Sequence, residues 1–299
     1  MNPVDQELLY VGIDGGGSKC KSTIISASGH IRGVGTAGPA NVVRNFEQSI
    51  ASILESVSLA IEDAGLDLDC MSELIAGAGL AGVNLSHGHA AISRWKHPFK
   101  KFYIATDLYM ACISAHAGKD GAVIVTGTGS CGIASVNGTI TTLGGYGFAT
   151  GDTSSGAWVG AQAVRHSLKS ADDLAPKTRL LDAIYQHLNV DSPLAVAEIL
   201  NDAPPSVFAK IAPLVFDMSE QGDDIATGII QTGAEYINAL ARKLLEKKPP
   251  RFSMIGGMSE RLFPWLDHDV QEKLSPAMEQ PEMGAIYFAK QQYSLLCKG

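Results

Sequence analysis

The 299-residue chain is long enough for two medium domains with a sizeable buried core. With 45% hydrophobic and 18% charged residues it is neither a disordered acidic chain nor a membrane bundle. A net charge of −8, from 31 acidic against 23 basic residues, argues against a nucleic-acid surface but leaves room for local phosphate binding by backbone amides. The first apolar run, Leu8 to Ile13, reads as a buried strand, and the alternating, β-branched stretch Lys21 to Ser26 reads as its partner. Between them lies a glycine turn, Asp14-Gly15-Gly16-Gly17-Ser18-Lys19. Phe46, Ile50, Ile53, Leu54, Val57 and Ile61 follow helical spacing up to a C-capping Gly65. Glu73 to Ala76 and Phe102 to Ala105 read as short strands, the second running through Thr106-Asp107 into a helix over Leu108 to His116.

At Gly121 the pattern restarts. Ala122 to Val125 is a buried strand, Thr126-Gly127-Thr128-Gly129-Ser130 a glycine turn, and Cys131 to Val136 a second strand. Asn137-Gly138 then signals a type I′ hairpin into a third strand, Thr139 to Leu143. The two strand–turn–strand units form an internal repeat and predict two similar α/β lobes. A helical insert spans Gly156 to Lys248, and its last helix puts Ile225, Ile229, Tyr236, Ile237, Leu240 and Leu244 on one face. Pro249-Pro250 ends it, Phe252 to Ile255 is a short strand broken by Gly256-Gly257, and Met283 to Leu296 reads as a closing helix. Most of the 32 glycines precede residue 161 and are read as loop residues between short β-like runs.

The first glycine turn is not a Walker A loop, because Lys19 lies between Ser18 and Cys20, and not a dinucleotide turn, because a strand follows it. It is a hairpin whose amides can bind a phosphate, or simply a hairpin turn; two such turns in matching positions favour phosphate. A branched side chain at Gly129 is expected to obstruct such a cradle and to disfavour a positive φ. Asp14, beside the glycines at a strand end, is placed to hold Mg²⁺ through water. Asp107, between a strand and a helix, is either an active carboxylate or a helix N-cap. His87-Gly88-His89 lacks the spacing of a helical zinc pair, and Trp158 reads as core.

The two glycine loops, with Gly256-Gly257 after a late strand, resemble the two phosphate motifs and the adenosine motif of the actin-like ATPase and sugar kinase superfamily. Gly144-Gly145-Tyr146-Gly147 through Gly151-Asp152 to Trp158 resembles a segment of N-acetylglucosamine kinases and the wider BadF/BadG/BcrA/BcrD ATPase group. The resemblance implies an α/β fold of two ribonuclease-H-like lobes with ATP and sugar in an interlobe cleft. It implies an N-terminal lobe of residues 1–117 joined by a returning helix at 283–299, and a second lobe at 118–282 with the helical insert. ATP would be held by Asp14 to Lys19, Thr126 to Ser130, Gly256 and Gly257, with Mg²⁺ at Asp14. The sugar would meet Asn41, Asp107, Gly145, Tyr146 and Asp152, and Asp107 would be the catalytic base. Many relatives read Gly-Asp-Glu-Gly-Ser where this chain has Gly151-Asp152-Thr153-Ser154-Ser155, and a common tryptophan is Tyr146 here.

The activity so implied is ATP-dependent phosphorylation of N-acetylglucosamine at O6, with glucosamine kinase the runner-up. A BadF-type ATPase activator is a different class, and it needs interface cysteines for an iron–sulfur cluster. Cys20, Cys70, Cys112, Cys131 and Cys297 are scattered, odd in number and without a C-x-x-C pair, which fits neither that arrangement nor a disulfide framework. A non-catalytic sugar sensor ranks last, since Asp14, Asp107 and both loops are present. The start of the chain, with Asp5 and Glu7, lacks a leader's basic and apolar segments, and no run of about 18 apolar residues occurs. A cytoplasmic homodimer with a small amino-sugar substrate and no nucleic-acid or membrane partner is expected.

Overall fold

The computed structural model describes residues 8–298; Asp5 and Glu7, on which the leader reading rests, lie outside them. The described residues divide into two compact units, one of residues 8–121 and 277–298, the other of Ala122–Pro276. The sequence reading expected divisions at 117/118 and 282/283. The Gly118 amide donates to Ile113, the Cys112 thiol to the Gly121 carbonyl and the Met278 amide to Ala115, so both crossing segments are fastened to the first unit.

The first unit opens with three antiparallel strands, β1 (Leu9–Gly15), β2 (Cys20–Ser26) and β3 (Ile31–Ala37). Helix α1 (Phe46–Asp63) follows, capped by the Asn45 side chain at Gln48 N–H and closed at Gly65 (φ 65°), as expected. Then come β4 (Ile75–Leu80), α2 (Ser86–Ser93), β5 (Lys101–Thr106) and α3 (Asp107–Ala115). The sheet order is β3-β2-β1-β4-β5, with β4 parallel to both β1 and β5.

Two details differ from the sequence reading. Strand β3 is an addition, and β4 begins at Ile75 rather than Glu73 and runs four residues past Ala76. Both strands contain paired glycines that read as loop signals. They are strand residues because helix backbone lies against them: a Cβ at Gly33 or Gly35 would overlap carbonyl oxygens of α1.

The second unit repeats the opening with β6 (Gly121–Thr126), β7 (Ser130–Val136) and β8 (Thr139–Gly144). The β7–β8 turn has Asn137 at φ 49° and Gly138 at φ 74°, as a type I′ turn requires. The insert is six helices: α4 (Gly156–Ala171), α5 (Leu180–Leu188), α6 (Pro193–Leu200), α7 (Pro205–Ala209), α8 (Ala212–Glu220) and α9 (Asp224–Leu245). Strand β9 (Phe252–Ile255) then pairs parallel to β6, giving the order β8-β7-β6-β9. Short helices α10 (Ser259–Leu262) and α11 (His268–Gln271) complete the unit. The face of α9 read from the sequence packs on this sheet through Ile237, Leu240 and Leu244.

Helix α12 (Pro281–Lys298) returns to the first unit and covers the sheet face carrying Tyr10, Ile25 and Ile75, using Ile286 and Ala289. The opposite face, with Val11, Ile13 and Ile24, packs on α1 through Ile53, Val57 and Ile61. Helix α12 reaches the sheet because Gly12 and Gly77 have no side chain; a Cβ at either would overlap the Glu282 or Ala285 carbonyl oxygen. Gly284 similarly lets α12 meet the α3 backbone at Met110. No helix among the described residues is long and apolar enough to cross a membrane.

Candidate active site

In the first unit the parallel strands β1, β4 and β5 end together, and the helices α3 and α12 begin there. Asp14 is the penultimate residue of β1, opposite Gly79 of β4, and Asp107 follows β5 directly. One strand therefore separates the two carboxylates, which sets their backbones roughly 10 Å apart. Gly79 keeps the intervening position low, since a Cβ there would lie 2.6 Å from the Met110 side chain and 3.4 Å from the Asp107 Cα.

Burial pushes the Asp14 carboxyl up to about 6, the charges of Asp107 and Glu282 add to the rise, and Lys19 and Lys21 oppose it. Asp107 is also raised, by the protein around it, against the pull of the Leu108 N–H that its Oδ1 accepts at 2.9 Å. Its side chain nevertheless stays open to water. The N-cap of α3 is Thr106, whose hydroxyl accepts from Tyr109 N–H at 3.1 Å. Asp107 is the first residue inside the helix and is not needed as its cap.

The first glycine loop is four residues long, closed by Gly16 N–H to the Lys19 carbonyl at 2.9 Å. Gly15 belongs to β1 and is packed against Leu80 and Ala40, so its smallness serves the sheet. Gly17, Ser18 and Lys19 form the exposed tip, and a Cβ at Gly17 would meet nothing. The loop is tied to the next candidate residue by Ala40 N–H to the Gly16 carbonyl at 2.8 Å. Asn41 forms a parallel bridge with Ala81, beyond the end of β4. Its carboxamide oxygen accepts from Val43 and Arg44 N–H, each at 3.1 Å, which leaves its NH₂ group for a ligand.

In the second unit the loop Thr126 to Ser130 is held from two sides. Gly127 donates to Gly129 at 2.9 Å and accepts from the Gly156 N–H at the start of α4 at 2.8 Å. The Ser130 hydroxyl donates to the Thr153 carbonyl at 2.6 Å. Asp152, buried and at φ 53°, accepts from the backbone N–H groups of Ser130 and Gly147. Burial still raises its carboxyl above the ordinary range. Gly129 is not in the left-handed region, which corrects the expected positive φ; a side chain is excluded there by Asp152, whose Oδ2 would lie 2.8 Å from a Cβ. Gly256 does have φ 106° and abuts the Thr126 carbonyl, which also accepts from Met258 N–H at 3.0 Å. Gly257 is open. Gly145 (φ 71°) and Tyr146, which is 76% exposed, lie on the loop that Asp152 closes.

The sequence reading missed Lys21 and Glu282. Lys21 is the cross-strand partner of Asp14, and its Nζ lies 2.6 Å from Glu282 Oε1 on α12. A four-residue hairpin loop fixes the Asp14–Lys21 pairing, so that half was readable; the arrival of Glu282 depends on the returning helix.

Two α/β units, each headed by a strand, a glycine loop and an antiparallel strand, define the actin-like ATPase and sugar kinase fold. The chain matches the BadF/BadG/BcrA/BcrD ATPase family over residues 11–289 and belongs to it. It is 32% identical to glucosamine kinase GspK of Vibrio cholerae across 97% of this chain and 99% of that one. It is 27% identical to N-acetyl-D-glucosamine kinase of Dictyostelium discoideum across 85% of this chain and 86% of that one. A crystal structure from Chromobacterium violaceum, provisionally named an N-acetylglucosamine kinase, superposes with a TM-score of 0.89 at 26% identity, covering 95% of this chain and 99% of that one.

Proposed function

We propose that the chain is an ATP-dependent hexosamine kinase that transfers the γ-phosphoryl group to the 6-hydroxyl of an amino sugar, glucosamine before N-acetylglucosamine. The observation that carries the reading is the pair of strand-end carboxylates beside an open glycine hairpin, with Asp107 released from capping by Thr106. Asp107 accepts the proton of the sugar hydroxyl as that oxygen bonds to the γ-phosphorus and the bond to the ADP oxygen breaks. The amides of Gly17 and Ser18 on the exposed tip of the first loop, with those of Thr128, Gly129 and Gly257, are the phosphate donors in this reading. Asn41, Gly145, Tyr146 and Asp152 are its sugar-side residues.

Mg²⁺ fits the donor set. Three carboxylates, Asp14, Asp107 and Glu282, outnumber Lys19 and Lys21 at the strand ends. Among the described residues no group of three His, Cys, Asp or Glu side chains forms a cage of its own. Mg²⁺ that arrives with a nucleotide takes one or two carboxylates besides phosphate oxygens. Asp14 would hold it, and when bound it would neutralise charge on the transferring phosphoryl group.

The free amine is placed first because the 32% identical glucosamine kinase matches nearly the full length of both chains. The Chromobacterium structure, at TM-score 0.89, supports N-acetylglucosamine as the second reading. ADP release with Mg-ATP across glucosamine, N-acetylglucosamine, N-acetylmannosamine and glucose decides between them. Glucosamine is expected to give the highest kcat/KM; a higher value for N-acetylglucosamine reverses the order, and turnover of glucose alone removes the amino-sugar assignment. Phosphorus–proton coupling in the product locates the phosphate at O6.

A further inference from the structure

Directly paired residues of antiparallel strands project to the same sheet face, so Asp14 and Lys21 both lie on the face covered by α12. There Lys21 meets Glu282, the second residue of that helix. The two ends of the ion pair differ: the Glu282 side chain is 5% exposed and the Lys21 side chain 29%. A carboxylate that deep is costly without a partner, yet two well-packed apolar side chains would hold a helix to a sheet equally well. What only the ion pair provides is an anchored positive charge on the residue paired across the hairpin with Asp14. Lys19, the other cation of this region, stands on the exposed loop tip, and among the described residues it has no ion-pair partner.

We propose that Lys21 is a positioning residue for phosphoryl transfer: anchored by Glu282, it fixes the Asp14 side chain across the hairpin and sets a positive charge beside the phosphates of a nucleotide on the first glycine loop. The inference rests on the kinase reading, and it extends the nucleotide site to the start of the last helix. A purely structural role for the pair is the alternative, and the two make different predictions. Lys21→Met leaves Glu282 buried without its partner, whereas the double variant Lys21→Met/Glu282→Gln removes that uncompensated charge and regains the stability of the fold.

The test measures the melting temperature of the ligand-free protein, the Mg-ATP dissociation constant by calorimetry, and kcat and KM for ATP. The panel is the wild type, Lys21→Met, Lys21→Arg and the double variant. The expected result is a double variant that melts close to the wild type but binds Mg-ATP about tenfold or more weakly, the scale of a charge-assisted contact. Its KM for ATP should rise further than its kcat falls, and Lys21→Arg should retain most of the affinity. A double variant, or a folded Lys21→Met protein, with wild-type Mg-ATP affinity overturns the proposal and leaves the kinase reading intact. A wild type that does not bind Mg-ATP overturns both.

Discussion

In the proposed reading Asp107 and Asp14 are a carboxylate pair with separate duties, and each gives a measurable expectation. Asp107→Asn keeps a polar group of the same shape at the start of α3 while removing the proton acceptor. Turnover is expected to fall by roughly 100-fold or more, the scale of a general base, with ATP affinity unchanged by calorimetry; near wild-type turnover would remove Asp107 from the chemistry. Asp14 carries its cost openly. Its carboxyl is pushed up to about 6 from an ordinary 3.8, so the folded protein binds that proton more tightly than the unfolded chain does. Its contribution to stability is therefore complete below about pH 4 and is lost as pH rises through about 6, on the order of 2–3 kcal/mol in all. Asp14→Asn should raise the melting temperature of the ligand-free protein at pH 7.5, and the gain should shrink as pH is lowered towards 4.5. A variant no more stable than wild type at pH 7.5 would show that the charge is already balanced. The same substitution is expected to abolish the response of the melting temperature to Mg-ATP, so stability and function pull this residue in opposite directions.

At the scale of elements, the glycines separate what could be read from what could not. The hairpin of β1 and β2, its repeat in β6 and β7, and the Asn137-Gly138 turn were legible because local chemistry dictates them. The same holds for the closure of α1 at Gly65 and the apolar face of α9. Strand β3 and most of β4 were not legible, because Gly33, Gly35, Gly77 and Gly79 look like loop residues until the helices lying against them are known. Their role comes from contacts with distant parts of the chain, which periodicity does not encode. For the site, Asp14, Asp107 and both glycine loops could be found from their positions at strand ends. Thr106 as the true cap of α3, Asp152 as the fastening of the second loop, and Glu282 beneath Lys21 all depend on tertiary neighbours. The glycine contacts can be tested directly. In Gly77→Ala the new methyl group would overlap the Ala285 carbonyl, a backbone atom that cannot turn aside. Stability is expected to drop by about 3 kcal/mol, read as an earlier urea midpoint with an unchanged slope; an unchanged midpoint would mean that α12 shifts freely on the sheet.

At the scale of the whole molecule, the two units differ in how their sequence is assembled. The second is one uninterrupted stretch, Ala122–Pro276, whereas the first is completed only by residues after 276. Without α12, the sheet face bearing Tyr10, Ile25 and Ile75 has no cover. That arrangement sets an order of events during synthesis. The earlier-made unit leaves the ribosome first yet finishes last, since it must wait while the whole later unit is translated. At about 5–20 residues per second, that wait lasts roughly 10 to 35 seconds, far longer than the collapse of a chain this size, which is complete within about 100 microseconds. Nascent chains arrested before residue 277 should therefore be cut by added protease within residues 8–121, while full-length released chains resist. Resistance of the arrested chains would show that the first unit closes without its last helix. Over that interval the emerging protein presents a greasy β-surface to its surroundings, so the yield of active enzyme becomes a matter of translation speed and of chaperones near the exit tunnel.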